Sequence, residues 1–166
     1  TTIKPEIETV VLDESHGRIL ALDLLSLVDD PAFDNSSMDG FAMRYEDTKN
    51  PPQTLDIIGT IQAAGQEDNV VVGPKQAVRI MTGAPIPEGA DSILQVELTT
   101  TNENKVTLQQ EGMKHFIRKQ GENLLKGSVS ITAGTILTPS RIGLCATMGH
   151  STLPVIKPLK VAIIST

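Results

Sequence analysis

The N-terminal segment carries apolar residues at a spacing typical of a helix. Within residues 4–14, KPEIETVVLDE, an apolar stripe is formed by Ile7, Val10 and Val11. A proline and two glutamates at the start of the segment suit the first turn of a helix. The pattern therefore predicts a short helix over residues 4–14, followed by a strongly apolar, extended segment over residues 18–25.

The middle of the chain changes to short apolar runs separated by Gly, Pro, Asn and Asp. The runs are LDIIGTI, NVVVG, QAVRIM, DSILQVE, KVTLQQ and GSVSI. Short strands with turn residues at such spacing are typical of a small β-barrel or β-sandwich. We therefore expect an all-β domain over residues 33–131.

A second helix is predicted in TPSRIGLCATMG, residues 138–149. Thr138 suits the N-cap, Pro139 the first helical position and Gly149 the end of the helix. The expected apolar face of this helix consists of Ile142, Cys145, Ala146 and Met148.

The order of elements, helical then β then helical, predicts an α+β fold. We expect the barrel-like or sandwich-like β domain to be inserted into a small mixed α/β domain that residues 1–32 and 132–160 form together. The last six residues, VAIIST (161–166), contain a continuous apolar run typical of a buried parallel strand. Because such a strand needs a crossover and partners, we interpret residues 161–166 as the first strand of a further, missing domain; an edge strand is the alternative.

Composition narrows the class of protein. Among 166 residues, 39% are hydrophobic and 20% are charged, which is typical of a soluble globular protein. The net charge of −6 argues against a nucleic-acid partner, and no apolar run approaches the ~20 residues that span a bilayer, so no membrane partner is expected. The single cysteine, Cys145, excludes an internal disulfide and suits a reducing, cytoplasmic location.

Candidate chemistry concentrates in DNSSMDGFAMR, residues 34–44. The candidate ligand contacts in this segment are Ser36, Met38, Asp39 and Gly40. One interpretation is a tight turn in which Asp39 caps backbone N–H groups, the more common use of these residue types. The other is a rigid loop that presents Asp39 to a ligand, because loops held on β scaffolds often carry sites. In that case the flanking aromatic residues anchor the loop; they are Phe33, Phe41 and Tyr45.

A second rigid loop lies in RIMTGAPIPEGAD, residues 79–91. Pro85 and Pro87 restrict the unfolded chain, so the loop can be held in one shape. Thr82 offers a hydroxyl next to the amide of Gly83. This pairing suits the anionic oxygens of a ligand and the closing of a turn equally well.

Other polar segments give weaker indications. A polar hairpin explains QGENLLKGS, residues 120–128. The histidines at positions 16, 115 and 150 lie far apart without the spacing of metal ligands, so no metal site is expected. The chain contains no nucleophile elbow, P-loop or dinucleotide fingerprint, and no complete catalytic constellation can be assembled from it.

Taken in order, these segments resemble the molybdopterin molybdenumtransferase family, the bacterial MoeA proteins and the E domain of gephyrin. The collinear segments are GRILALD, PAFDNSSMDGFAMR, RIMTGAPIPEGADSILQVE, GENLLKG, GTILTPSRIGLCATMG and VAIIST. The resemblance runs over essentially the whole chain and is most specific at residues 37–42 and 81–87. It implies that Asp39 and Thr82 lie in the family's cleft, where they orient a nucleotide–pterin ligand or its metal through hydrogen bonds.

The resemblance also implies a reaction and an assembly. Members of the family insert molybdenum from molybdate into the dithiolene of adenylylated molybdopterin, release AMP and use Mg²⁺. They are homodimers whose clefts are shared between subunits, and they are much longer than this chain. The chain is therefore expected to be the N-terminal part of such an enzyme, inactive alone and without bound molybdate or Mg²⁺. The alternative is a non-catalytic dimerisation or scaffold module.

Overall fold

The structure, a computed structural model, describes residues 5–63 and 70–164. This described part is mostly β and contains one α-helix, α1 (Pro139–Thr147). Its strands are β1 (Ile7–Val11), β2 (Leu24–Leu25), β3 (Asn35–Ser36), β4 (Gly40–Met43), β5 (Gln53–Ile61), β6 (Gln76–Ile80), β7 (Ser92–Gln95), β8 (Thr99–Asn102), β9 (Lys105–Leu108), β10 (Ile117–Arg118), β11 (Val129–Ile131) and β12 (Thr152–Ile156). No helix within these two ranges is long and apolar enough to cross a membrane.

The chain divides into two compact units. Unit 1 comprises the residues up to Asp30 and those from Asn123 onward, and unit 2 is Pro31–Glu122. Strand β11, which falls within the predicted β domain, pairs with β2 in unit 1. The domain boundaries expected from the sequence stay a prediction.

Unit 2 is built on a curled, half-barrel sheet of six strands in the order β7-β4-β6-β5-β9-β8. Neighbouring strands are antiparallel, except that β5 and β6 are parallel. Strand β4 is held on both sides, since Phe41 pairs with Arg79 of β6 and with Leu94 of β7. The predicted β character of the middle region is confirmed, whereas the α+β arrangement and the domain insertion stay predictions.

Side chains of unit 2 form two apolar clusters, to which β4 contributes alternately. One cluster contains Phe41, Met43, Leu55, Ala77, Leu94, Val106 and Leu108, and the other contains Ala42, Ile80, Ala84, Ile93 and Ile117. This alternation is the period of two that a strand imposes on its side chains. All four residues of β4 are buried, and full burial of a large apolar side chain contributes about 1.5–3 kcal/mol. The loop that precedes β4 is therefore attached to a firmly packed strand.

Unit 1 contains the antiparallel pairs β1–β12 and β2–β11 and helix α1. Its apolar cluster contains Leu20, Leu24, Ile131, Leu137, Cys145, Met148, Leu153 and Val155. Helix α1 begins as predicted, because the Thr138 side chain accepts a long hydrogen bond (3.5 Å) from the Arg141 N–H. It is closed at Gly149, whose φ is +90°, and the His150 N–H donates to the Cys145 carbonyl at 3.0 Å.

The helix predicted over residues 4–14 is wrong. Strand β1 occupies residues 7–11, and Leu12–Glu14 forms a 3-10 turn; Lys4 lies outside the described residues. Four of the five residues of β1 are β-branched, which favours extended backbone, and β12 supplies its hydrogen-bonding partner from the far end of the chain. The extended segment predicted over residues 18–25 does contain a strand, β2.

Two smaller predictions also differ from the structure. Ala146 is exposed instead of lying on the buried face of α1. The run NVVVG forms no strand in its described residues, where Val71 makes an isolated bridge to Glu88, and Asn69 lies outside them. Residues 161–164 form no strand, and Ile163 is 94% exposed, because no partner strand lies beside them within the described part of the chain; that these residues begin a further domain stays a prediction. Residues 165–166 lie outside it.

Candidate functional site

The two polar loops singled out from the sequence lie side by side in unit 2. The Ser36 N–H donates to the Ala84 carbonyl at 3.0 Å, and the Gly83 N–H donates to the Ser36 carbonyl at 2.7 Å. Asn35 forms a further isolated bridge with Pro85. Two segments that are more than forty positions apart in the chain are thus joined into one rigid surface, which we call the two-loop site: residues 35–40 and 81–85.

The buried hydroxyl of Ser36 shapes the first loop. Its Oγ donates to the Met38 carbonyl at 2.6 Å and accepts from the Met38 N–H at 3.2 Å. Ser37 is tied to another segment, since both its N–H and its hydroxyl donate to the Phe116 carbonyl. Both hydroxyl groups are thus used in hydrogen bonds to the protein backbone, so Ser36 acts as a positioning residue and holds Met38 in place.

Gly40 is required by a close approach of two strands. A Cβ atom at this position would lie 2.1 Å from the carbonyl oxygen of Leu94, a distance that no side chain can tolerate. The Val96 N–H also donates to the Asp39 carbonyl at 3.1 Å. The backbone from the Asp39 carbonyl through Gly40 is therefore held against strand β7 and the residues that follow it.

The Asp39 carboxylate links the two loops directly. Its Oδ1 accepts a hydrogen bond from the Thr82 N–H and a second from the Thr82 hydroxyl, both at 2.7 Å. These two bonds, the backbone bond first, hold the pKa of Asp39 below its ordinary value, and the positive charge of Arg79 adds to this effect. Within residues 5–63 and 70–164, the other oxygen, Oδ2, accepts no hydrogen bond. The site thus presents an exposed, ionised carboxylate with one oxygen fixed and one free.

The second loop is a tight turn that aims the Thr82 N–H at Asp39. The Ala84 N–H donates to the Met81 carbonyl at 3.0 Å, and Gly83 has a φ of +81°. A positive φ at the third residue of a four-residue turn is typical of a type II turn and favours glycine. The Thr82 hydroxyl and the Gly83 amide are therefore both occupied by protein acceptors, as the turn interpretation requires.

Arg79 lies outside the two loops and was not singled out by the sequence motifs, but its positive charge acts on the Asp39 carboxylate. Its guanidinium carbon lies 5.2 Å from the ring centroid of Phe41, its pairing partner on β4. The signal in the sequence is a single cation inside the apolar strand QAVRI. Of the other aromatic residues proposed as anchors, Phe33 is 42% exposed, and Tyr45 is held by hydrogen bonds to Asp91 and Glu111. Phe41 is the buried anchor.

The remaining sequence candidates have structural explanations. Glu122 accepts hydrogen bonds from Arg118 Nε at 2.9 Å and from the Lys119 N–H at 2.8 Å, which closes a polar turn. In the described ranges, no group of three or more His, Cys, Asp and Glu side chains could hold a metal ion. Two concavities of about 340 and 210 Å³ in unit 2 share Ala90 and Asp91 in their lining and include neither Asp39 nor Thr82.

Comparison with known proteins points to one family. The family model for the MoeA N-terminal region (domain I and II) matches residues 1–149. Molybdopterin molybdenumtransferase 2 of Mycobacterium tuberculosis (strain CDC 1551 / Oshkosh) is 40% identical over 164 residues, which cover 95% of this chain and 40% of that protein. Molybdopterin molybdenumtransferase of Bacillus subtilis (strain 168) is 42% identical over 170 residues, which cover 97% of this chain and 39% of that protein.

A solved structure agrees with these matches. The crystal structure of the molybdopterin biosynthesis MoeA protein from Pyrococcus horikoshii OT3 superposes with a TM-score of 0.86 at 31% identity. The match covers 91% of this chain and 41% of that protein. The chain thus spans about two fifths of the length of the relatives it matches.

Proposed function

The chain belongs to the family of MoeA N-terminal regions, and on this premise we propose that it forms part of an enzyme that inserts molybdenum into molybdopterin. In this proposal the substrate is adenylylated molybdopterin, molybdate supplies the metal, and AMP leaves. The two-loop site contributes contacts to the substrate, and the rest of the catalytic groups lie in parts of the enzyme outside this chain.

One observation carries the proposal for the two-loop site. Asp39 is held by Thr82 through two hydrogen bonds of 2.7 Å, so its free Oδ2 points from a rigid, exposed position. A preorganised charged group of this kind stabilises a reacting ligand without first having to reorganise. The low pKa of Asp39 keeps the carboxylate charged at neutral pH.

Mg²⁺ is the proposed cofactor, and the protein and the substrate would bind it together. Mg²⁺ is usually held by one or two carboxylates together with phosphate oxygens and water. Asp39 fits as one such carboxylate, since its Oδ2 is free of hydrogen bonds from the described residues. The other ligands would come from the substrate or from residues outside this chain.

The reaction is tested by measuring AMP release. Full-length protein that carries this chain is supplied with adenylylated molybdopterin, molybdate and Mg²⁺, and the chain alone is assayed beside it. We expect release by the full-length protein and none by the chain, because no complete catalytic constellation can be assembled from the chain's sequence motifs. A full-length protein that binds the substrate but releases no AMP would contradict the proposed reaction.

A second role, homodimerisation, is favoured by the surface of unit 1. Apolar side chains are exposed in this unit, among them Ile7 (52%), Val11 (48%), Leu22 (54%), Ile136 (55%) and Leu144 (42%). Gly143 and Ala146 on α1 are exposed as well and permit close approach of another chain. Clusters of exposed apolar residues often mark interaction surfaces. We therefore propose that the chain pairs through unit 1.

Sedimentation velocity at micromolar concentration tests the pairing. We expect a dimer, and we expect Leu144→Glu to shift it toward monomer. Ile58→Glu, a substitution at an exposed residue of β5 in unit 2, is the matched control and should leave the dimer intact. A monomeric wild-type chain, or equal effects of the two substitutions, would contradict pairing through this surface.

A further inference from the structure

Arg79 has no hydrogen-bond or ion-pair partner among the described residues. It lies on β6, flanked by the buried Val78 and Ile80. Its Nε atom is buried and makes no hydrogen bond, and the residue forms no ion pair in the described part of the chain. Buried donors in proteins are nearly always paired, so an unpaired one calls for an acceptor that the described residues do not supply.

The guanidinium is held in a defined place. It lies over the ring of Phe41, 5.2 Å from the centroid, and Phe41 is only 1% exposed. A cation over an aromatic face is attracted by the ring, and guanidinium N–H groups that do not face the ring can still donate to a ligand. The Arg79 side chain is therefore preorganised to donate hydrogen bonds.

The other donors that the sequence suggested for an anionic ligand are already in use. Thr82 donates both its N–H and its hydroxyl to Asp39, and the Gly83 N–H donates to the Ser36 carbonyl. Any anion approaching the two-loop site would meet the Asp39 carboxylate and be repelled by it. The positive charge of Arg79 lowers the pKa of Asp39, and among the described residues it can offset this repulsion alongside the proposed Mg²⁺.

We infer that Arg79 binds a tetrahedral oxyanion of the substrate at the two-loop site, and specifically a phosphate oxygen of its nucleotide part. The planar fork of a guanidinium matches two oxygens of a phosphate at once. The inference rests on the proposed function, because it takes the ligand to be a nucleotide derivative. Molybdate, the other tetrahedral oxyanion in the proposed reaction, offers the same chemistry and is separated from phosphate by experiment.

The test compares AMP, adenosine and molybdate as ligands of the full-length protein by calorimetry. Adenosine lacks the phosphate, so it reports on the adenine and ribose contacts alone. Three variants are measured with the wild type: Arg79→Met, Arg79→Lys and Lys105→Met. Lys105→Met is the control, since it removes the same charge from an exposed ion pair with Asp56 on the same sheet. Melting temperatures are recorded for all proteins.

We expect Arg79→Met to weaken AMP binding by roughly tenfold or more, and to leave adenosine binding and the control unchanged. Arg79→Lys keeps the positive charge but lacks the planar guanidinium fork, so we expect an intermediate loss of AMP affinity. This variant also tests the inference if Arg79→Met does not fold. Weaker AMP binding assigns the site to phosphate, and weaker molybdate binding alone assigns it to the metal oxyanion. Unchanged binding of both anions in folded variants overturns the inference, as does an equal loss of AMP and adenosine binding.

These outcomes separate the inference from the proposed function. If the wild type releases AMP from adenylylated molybdopterin and Arg79→Met binds AMP normally, the Arg79 site is refuted and the reaction stands. If AMP binding depends on Arg79 but no AMP is released from the substrate, the reaction is refuted and the oxyanion site stands. A wild type that binds none of the three ligands refutes the Arg79 site.

Discussion

Replacing Asp39 by asparagine separates the two roles that its carboxylate can play. An asparagine side chain keeps an oxygen at the position of Oδ1, so it can still accept the two hydrogen bonds from Thr82 that are 2.7 Å long in the structure. It removes the negative charge, which the low pKa of Asp39 maintains at neutral pH. The substitution thus preserves the loop and deletes the charge that would face substrate or Mg²⁺.

The expected loss of activity follows from this geometry. If the carboxylate orients the ligand, Asp39→Asn should lower AMP release by about ten- to a hundredfold, somewhat less than the loss of a dedicated transition-state donor. The melting temperature should change by no more than about 2 °C, because Asp39 is exposed and its hydrogen bonds are retained. The assay is AMP release by full-length protein, with melting followed by circular dichroism.

The matched control is Asp56→Asn. Asp56 is another exposed aspartate of unit 2, and it forms an ion pair with Lys105 on strand β9, away from the two-loop site. This variant should keep wild-type activity. Full activity in Asp39→Asn would refute the functional role of the carboxylate, and so would a loss of activity that merely follows a fall in melting temperature. Either result would leave Asp39 as the cap of a turn.

Three further predictions concern the same loops. Thr82→Val should lower AMP release less than Asp39→Asn, because the Thr82 N–H still holds the carboxylate; an equal or greater loss would argue that the hydroxyl meets the ligand. Gly40→Ala should destabilise the chain by about 3 kcal/mol or more in urea unfolding, since its Cβ would meet the Leu94 carbonyl, whereas Gly59→Ala should change stability by less than about 1 kcal/mol. Lowering the pH from about 6 to about 3 should reduce the melting temperature more in wild type than in Asp39→Asn. The folded-state pKa of Asp39 is depressed, so its contribution exists above the ordinary carboxylate pKa and is lost as the pH falls through the folded-state value; equal losses would contradict it.

The local sequence was sufficient to predict an element where a residue type has a single structural role at its position. The cap at Thr138 and the positive φ of Gly149 bound helix α1 as predicted, and β-rich runs such as KVTLQQ form strands. The helix prediction for residues 4–14 was wrong because, in so short a segment, apolar residues at helical spacing are also compatible with a strand. The segment is a strand because it pairs with β12, which lies more than 140 positions further along the chain.

The sequence predicted which residues of the two loops belong to the site, but not which of them are hydrogen-bonded to each other. Asp39 and Thr82 stand out because each lies beside a glycine in a polar loop, yet nothing local shows that they are bonded to each other. Their contact depends on the register of β4 against β6, in which Gly40 faces Ile80. The same register places Arg79 opposite Phe41, so the cation of the site could be recognised only after the strands were paired.

The interpretation of Asp39 as a turn cap and its interpretation as a ligand contact are compatible, because its two carboxylate oxygens have different surroundings. Oδ1 closes the loop through Thr82 and fixes the direction of the carboxylate, while Oδ2 stays free of bonds from the described residues. A carboxylate held in this way cannot turn aside from an incoming phosphate, so the site can accept an anion only if a cation is fixed beside it. Arg79 lies over the Phe41 ring and has no hydrogen bond or ion pair with the described residues, so in our proposal it meets that requirement from the neighbouring strand. In our proposal the Asp39 side chain thus serves both turn closure and ligand contact.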